Sequence, residues 1–347
     1  MSEIATFCAS FKKGFIPRVQ NPRQPVRFWS EKDVLHGSVV DAYVIILRTR
    51  GCSWALSSGC TMCGYFNDSM LSAVSAEELL AQFETAMQHY KGEKIVKLFT
   101  SGSFLDASEI PVTIQQNILS TLQQNAEKIS VESRPEYITE KSIGLIQSTI
   151  PLSSFEIGIG LETSNDFIRD HAINKGFTFQ DYKKAAGLLK QHKVHVKTYV
   201  LMKPPFLTEK QALNDCLRTT KDIASCTDLL SFNPTNIQRH TVVDYLWNRN
   251  QYRPPWLWTI VECLQQSKRL TDAFVKCDVV AGGSSRGAHN CGLCDKKVLH
   301  AIEEFSLTQQ PEVFKDLSCR CQDQWRDQLD LENLSFGSLV DFSRWNP

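Results

Sequence analysis

The chain has 347 residues and balances 38 Lys and Arg against 38 Asp and Glu, for a formal net charge of zero. That balance excludes a globally basic nucleic-acid binder, so any RNA contact has to rest on a local patch, and no apolar run reaches the length of a membrane span. Its twelve cysteines lack the dense, regular spacing of a secreted disulfide scaffold and read as metal ligands plus buried thiols of a cytoplasmic protein.

The length suits one α/β barrel with an appendage. Residues 1–38 carry Lys12, Lys13, Arg18, Arg23 and Arg27 among Pro17, Pro22 and Pro25, which reads as an extended arm over the barrel rather than a domain. The first ten residues show no basic region followed by an apolar core, so no signal peptide is expected. From about residue 39 to 283, short apolar runs alternate with helical patterns, the signature of βα units and a parallel sheet. Strands are expected at 39–47, 95–100, 129–133, 155–161, 194–201, 229–233 and 273–280. Helices are expected at 76–90, 113–124, 138–147, 178–191, 209–223 and 256–270, several of them capped, as by Ser75 and Thr208. Cys8, Cys216, Cys226 and Cys263 stand alone in apolar or helical contexts and read as packed thiols.

The first strand runs into Arg50-Gly-Cys-Ser-Trp-Ala-Leu-Ser-Ser-Gly-Cys-Thr-Met-Cys-Gly-Tyr65. Cys52, Cys60 and Cys63 offer three thiolates with no fourth partner nearby. Three thiolates hold a [4Fe–4S] cluster through three irons and leave the fourth open to a substrate or cofactor, whereas a four-cysteine cluster is closed and serves mainly electron transfer. A zinc knuckle, or a disulfide with one thiol left over, is the competing reading.

Further chemistry-bearing residues fall at the carboxyl ends of the expected strands, where the loops of a parallel barrel converge. Ser101, Gly102 and Ser103 follow the second strand. Glu132 and Arg134 end the third, before a proline that stops it; a carboxylate suits ribose hydroxyls or an ammonium, and a guanidinium suits a carboxylate. Glu156-Ile-Gly-Ile-Gly-Leu-Glu162 closes the fourth, its glycines permitting close approach of backbone to ligand. Lys203, Asn233 and Asn236 follow the fifth and sixth and are placed to reach the cavity.

After residue 283 the rhythm changes. A helix is expected at 296–305 within a small metal-stapled C-terminal domain, 284–347. Cys291-x2-Cys294 and Cys319-x-Cys321 give four thiolates for a closed tetrahedral zinc site, with Cys277 or His289 as alternate ligands and a second iron–sulfur cluster as the competing occupant. The glycine-rich stretch with Arg286 and His289 suits either a phosphate cradle or a flexible loop.

These motifs carry a resemblance. The ending Cys-Thr-Met-Cys-Gly-Tyr resembles radical S-adenosylmethionine (radical SAM) enzymes, although C-x7-C-x2-C departs from their usual C-x3-C-x2-C. The resemblance puts Tyr65 near the adenine of SAM and Ser101 to Ser103 where the family has a Gly-Gly-Glu-like motif, here without its glutamate. Glu-Ser-Arg-Pro resembles the branch that includes the elongator catalytic subunit and the oxygen-independent coproporphyrinogen oxidases. Together with Gly-Ile-Gly-Leu-Glu-Thr, Asn-Lys-Gly-Phe-Thr and Arg-Gly-x-His-Asn-Cys-Gly-x-Cys-Asp, over about 48–321, the set is similar to the RaSEA family, the radical SAM component of archaeosine synthase.

The resemblance implies a partial (β/α)6-type barrel over 39–283, a [4Fe–4S] cluster on Cys52, Cys60 and Cys63, and SAM held by Tyr65, Ser101, Gly102, Ser103, Glu132, Arg134 and Glu162. It implies as substrate a tRNA whose position 15 holds a 7-cyano-7-deazaguanine that an ArcS-like partner has joined to lysine. The implied reaction is cleavage of the C–N bond to the lysine chain by a 5′-deoxyadenosyl radical, leaving archaeosine. Arg239, Arg249, Arg253, Lys268, Arg269, Lys296 and Lys297 join the basic residues of the arm as RNA-phosphate candidates. Two other readings stand beside this one: a radical SAM enzyme for another tRNA base or a small metabolite, and a zinc-stapled RNA-binding module without catalysis.

Overall fold

The structure, a computed structural model, describes residues 3–12 and 20–332; Lys13, Pro17 and Arg18 of the basic arm lie outside the described residues. Eight strands, β1 (Arg27–Leu35), β2 (Ser38–Ile46), β3 (Ile95–Phe99), β4 (Lys128–Glu132), β5 (Phe155–Glu162), β6 (His195–Met202), β7 (Leu229–Pro234) and β8 (Phe274–Cys277), form one sheet in chain order. β1 pairs antiparallel with β2, and every later neighbour is parallel. The sheet curls into a half-barrel, so that Asp33 on β1 ion-pairs with both Lys97 on β3 and Lys276 on β8.

The helices are α1 (Glu3–Ser10), α2 (Ser53–Ser57), α3 (Ala76–Met87), α4 (Val112–Gln123), α5 (Glu140–Gln147), α6 (Asp166–Ile168), α7 (Phe179–Gln191), α8 (Glu209–Ile223), α9 (Val242–Trp247), α10 (Leu257–Leu270), α11 (Asp295–Thr308) and α12 (Cys321–Glu332). Capping boxes start α3 at Ser75, α7 at Thr178 and α8 at Thr208, satisfying amide groups that the first helical turn leaves free. The outer faces of the parallel strands bury Val96, Leu98, Ile129, Val131, Ile157, Ile159, Val196 and Val200 in one core with the helices. Each such side chain contributes about 1.5–3 kcal/mol when fully buried.

All seven expected strands are present with shifted ends. The arm expected over 1–38 is corrected: residues 27–35 are a full strand, turned into β2 by His36 and Gly37 with φ of 49° and 76°, the paired left-handed geometry of a tight hairpin. The reason lies inside the half-barrel, which is charged rather than apolar. Glu31 and Asp33 of β1 face Lys97. Glu156 accepts from Lys128 and Ser130, and Lys276 pairs with Asp278 at 3.3 Å. A strand whose inward positions are carboxylates shows no apolar alternation, so period 2 alone does not reveal it.

The cysteine-bearing C-terminal segment packs on the outside of the barrel. Its Phe305, Phe314, Trp325 and Leu329 join the same core as the strands, so the boundary expected at 284 does not separate two cores. Among the described residues, no helix is long and apolar enough to cross a membrane.

Candidate active site and metal centre

Cys52 lies just after β2, directly before α2; Cys60 and Cys63 close the loop, with Cys63 N donating to Cys60 O at 3.3 Å. A second loop grips this one. Thr61 N and Oγ1 donate to Ile173 O at 2.9 Å and Ala172 O at 2.7 Å. Asn174 Nδ2 donates to Ser58 Oγ at 2.8 Å and Gly59 O at 2.7 Å, and Trp54 Nε1 donates to Asn174 O at 2.8 Å. Gly176, with φ of 76°, lies under Trp54, where a Cβ would stand 2.7 Å from the indole.

Around the loop stand the carboxyl ends of β3 to β6. Gly102 fits where only glycine can: a Cβ would lie 2.7 Å from Cys52 Cα and 2.2 Å from Glu109 Oε2. Buried Glu109 accepts from Thr49 Oγ1 at 2.5 Å and Ser103 N at 2.6 Å, tying the base of the cysteine loop to the 101–103 turn. Ser101 Oγ donates to Tyr65 O at 3.3 Å, and Ser103 Oγ accepts from Arg134 N at 3.0 Å. Tyr65 is 55% exposed.

The two glycines of β5 serve a different purpose from the one expected. Rather than admitting a ligand to the backbone, they make room for this chain's own side chains. A Cβ on Gly158 would stand 2.8 Å from the Tyr199 ring, and one on Gly160 would stand 2.8 Å from Lys175 Nζ and 2.9 Å from Glu162 Oε1. Tyr199 stands beside Glu132, whose carboxyl burial pushes up against the opposing influence of Tyr199 and Lys197. Lys175 pairs with Glu162 at 2.6 Å. Burial disfavours the charge on Lys175, yet the Glu162 carboxylate and the Cys60 sulfur together outweigh it and raise the lysine's pKa. Glu162 itself sits at a register shift with φ of 70°.

Three expected ligand groups are bound to their own chain. Arg134 donates to Glu136 Oε1 at 2.5 Å and Lys175 O at 3.0 Å, and its guanidinium lies over Trp54 and Phe177; it orders the 174–177 loop. Lys203 turns to Glu209 at 2.7 Å instead of the cavity. Arg286 pairs with Asp244 at 2.7 Å, donates to Ile237 O at 3.1 Å and stacks on Trp247, so its loop is pinned rather than open as a phosphate cradle. Asn233 and Asn236 are half-buried at and after the end of β7. Sequence reasoning missed Lys175, Tyr199 and Glu109. Lys175 stood in the Asn-Lys-Gly-Phe-Thr motif, and Tyr199 was signalled by its place two residues from Lys197 on an alternating strand.

The two cysteine groups differ in geometry. Cys291, Cys294, Cys319 and Cys321 bring their sulfurs within 4.8 Å of one another, and this is the only such group of three or more ligand atoms among the described residues. Cys291 and Cys319 are 3.7 Å apart and Cys294 and Cys321 are 3.6 Å apart. A tetrahedron with metal–sulfur bonds of about 2.3 Å has edges of roughly 3.8 Å, so the quartet fits one tetrahedral ion better than a multi-iron cluster. Trp258 Nε1 and Asn290 Nδ2 each donate at 3.3 Å, to Cys321 and Cys294, the outer contacts that orient metal thiolates. Burial pushes the Cys291 thiol up, but the Leu293 amide, the Cys321 thiol, the Cys294 amide and the Cys319 thiol bring it down to about 7. His289 instead contacts Gly287 O at 2.8 Å and Cys277 sits in β8, so neither alternate ligand belongs to the quartet.

Cys52, Cys60 and Cys63 do not converge on one ion in this way. Sulfurs held farther apart suit a cluster whose cysteines attach to separate irons. Burial raises the Cys60 thiol, opposed by the positive charges of Lys175 and Arg134, and burial with Cys60 as neighbour pushes Cys63 up to about 12.

A curled parallel sheet with three cysteines after its first parallel strand defines the radical SAM class, and the family model described as the Radical SAM superfamily matches residues 46–216. The chain is 41% identical over 324 residues, 91% of its length and 93% of the relative's, to archaeosine synthase subunit beta of Methanosarcina acetivorans. It is 36% identical to the subunit of the same name from Thermococcus kodakarensis, over 86% of this chain and 94% of that one. Among solved structures, Methanocaldococcus infernus Elp3 with an N-terminal deletion aligns with a TM-score of 0.47 and 16% identity, covering 67% of this chain and 58% of that one. The chain belongs to the archaeosine synthase subunit beta family within the radical SAM superfamily.

Proposed function

We propose that this chain is a radical SAM lyase of tRNA modification, cleaving the C–N bond of a lysine-adducted 7-cyano-7-deazaguanine at tRNA position 15 to give archaeosine. The observation that carries this reading is the match over nearly the whole chain to relatives named archaeosine synthase subunit beta. The non-convergent thiolates of Cys52, Cys60 and Cys63 at a mouth lined by ionised groups support it. When bound there, a [4Fe–4S] cluster with an open iron supplies one electron to SAM and thereby a hydrogen-abstracting 5′-deoxyadenosyl group.

The chain's own residues do the holding. Glu132 with Tyr199, and Glu162 with Lys175, present a carboxylate and an ammonium suited to the ribose and methionyl ends of SAM, while Tyr65 offers a ring to the adenine. Ser101 to Ser103, braced by Glu109, shape the turn beside Cys52. Asn233 and Asn236 are candidates for the substrate side. The exposed Arg23, Arg27, Arg239 and Arg249 are candidates for RNA phosphate. An ArcS-like lysine transferase supplies the adduct, and the C-terminal quartet holds a structural zinc ion.

The test is anaerobic incubation with SAM and a reductant, using adducted tRNA, the same tRNA without adduct, and the free adducted nucleoside. Nucleoside mass spectrometry should show archaeosine, with 5′-deoxyadenosine in step, only where the adduct is present. SAM cleavage coupled to an unrelated metabolite, with no archaeosine from adducted tRNA, refutes the substrate while leaving the radical SAM class intact.

A further inference from the structure

Five of the seven residues between Cys52 and Cys60 form α2 (Ser53–Ser57), and a helix this short leaves carbonyls at its C-terminal end without intrahelical partners. Lys12, two residues past the end of α1, supplies them: its ammonium donates to Ser58 O at 2.8 Å and also to Ala55 O. Ser58 Oγ returns a bond to Ala5 O of α1 at 3.3 Å. Space for the ammonium exists because residue 59 is glycine; a Cβ there would lie 2.1 Å from Lys12 Nζ. The same ammonium sits 5.1 Å from the centre of the Phe66 ring. α1 and the turn after it are further held by Phe7 and Phe11, whose rings lie 5.6 and 5.5 Å from that of Tyr245. Burial disfavours the charge on Lys12, and the charges that favour it are the sulfurs of Cys63, Cys60, Cys8 and Cys52.

We propose that Lys12, carried in from outside the barrel, is a positioning residue of the cluster loop that braces the long C-x7-C segment and whose positive charge raises the reduction potential of the bound cluster. The proposal rests on the cluster reading of Cys52, Cys60 and Cys63. One-electron reduction adds a negative charge to a group already made negative by three thiolates. A nearby, partly desolvated ammonium stabilises the reduced form more than the oxidised one. The bracing follows from the two carbonyls, which fix the chain between the first two cluster cysteines.

The test uses full-length wild type, Lys12→Arg, Lys12→Gln and Lys12→Met, reconstituted anaerobically, with iron per chain measured and reduction followed by potentiometric EPR. Lys12→Arg keeps charge and donors and should titrate with wild type. Lys12→Gln keeps a donor but loses the charge, and its reduction equilibrium should fall about tenfold, ~59 mV for one electron. Lys12→Met should show the same shift and retain less iron. If Lys12→Gln loses iron but titrates with wild type, the brace is merely structural and the proposal is overturned. If wild type holds no reducible cluster, the proposal and the cluster reading fall together.

Discussion

The Lys175 ammonium lies 2.6 Å from the Glu162 carboxylate, in the space that any side chain at position 160 would fill. This pair joins the end of β5 to the loop that grips the cysteines, so it connects the parallel sheet to the cluster loop.

Gly160→Ala should therefore displace the pair without disturbing the sheet core. A charged hydrogen bond is worth about 1.5–3 kcal/mol, so SAM affinity should drop at least tenfold in Gly160→Ala and in Lys175→Met, measured by calorimetry on reconstituted protein. Unchanged affinity in both would remove Glu162 and Lys175 from the SAM site.

Glu132→Gln removes the carboxylate's charge but keeps an oxygen acceptor, whereas Tyr199→Phe removes the phenol hydroxyl beside it. The first removes the charge and should weaken SAM binding by on the order of 1.5–3 kcal/mol. The second should cost less, about 0.5–1.5 kcal/mol, because it frees the carboxylate without neutralising it. A loss in Tyr199→Phe as large as that in Glu132→Gln would show that the Tyr199 hydroxyl, not the carboxylate's charge, carries the effect.

Changing Cys52, Cys60 and Cys63 together to alanine should abolish the iron–sulfur absorption and 5′-deoxyadenosine formation while leaving one metal per chain at the quartet. Cys294→Ser should do the reverse. Because the quartet brings the start of α11 to the start of α12, loss of a metal held there should lower stability by well over the ~1 kcal/mol typical of a point change. Metal analysis and thermal unfolding of both variants separate the two sites; a triple variant that lost both metals would refute their independence.

Asp215 gives a pH dependence with a definite sign. Burial pushes its carboxyl up to about 7, against the pull of Thr163 Oγ1, which donates to it at 2.9 Å. A carboxyl raised in the folded state stabilises fully below its unfolded pKa of about 4, and that contribution is lost as pH rises towards 7. Asp215→Asn should thus be more stable than wild type at pH 8, by at most about 4 kcal/mol at ~1.4 kcal/mol per unit, with the gap closing by pH 4. Asp33 acts oppositely. Despite burial, Lys276 and Lys97 hold its carboxyl well below the usual range, so its contribution is kept above pH 4 and lost in acid, and comparing variant with wild type cancels it. A gap that does not change with pH would exclude titration of Asp215 as the cause.

The parallel strands are legible in the chain alone, because their outer faces are apolar runs bounded by caps and turns, and so are the two cysteine groups, because thiol spacing is a local property. What the inner face of the sheet does is not legible in that way. There the side chains are charged, and a lysine such as Lys97 or a carboxylate such as Asp33 reads as surface until a strand distant in sequence supplies its partner. The same holds at the mouth. Whether Gly158 and Gly160 face a ligand or the chain's own Tyr199 and Lys175 depends on strand register and on a loop fifteen residues further on. Arg134, Lys203 and Arg286 have the chemistry of ligand-binding residues, but folding brings Glu136, Glu209 and Asp244 to them. Thiol spacing and apolar periodicity act over a few residues; the pairing of buried charges acts across the whole sheet and is settled only when strands distant in the chain come together.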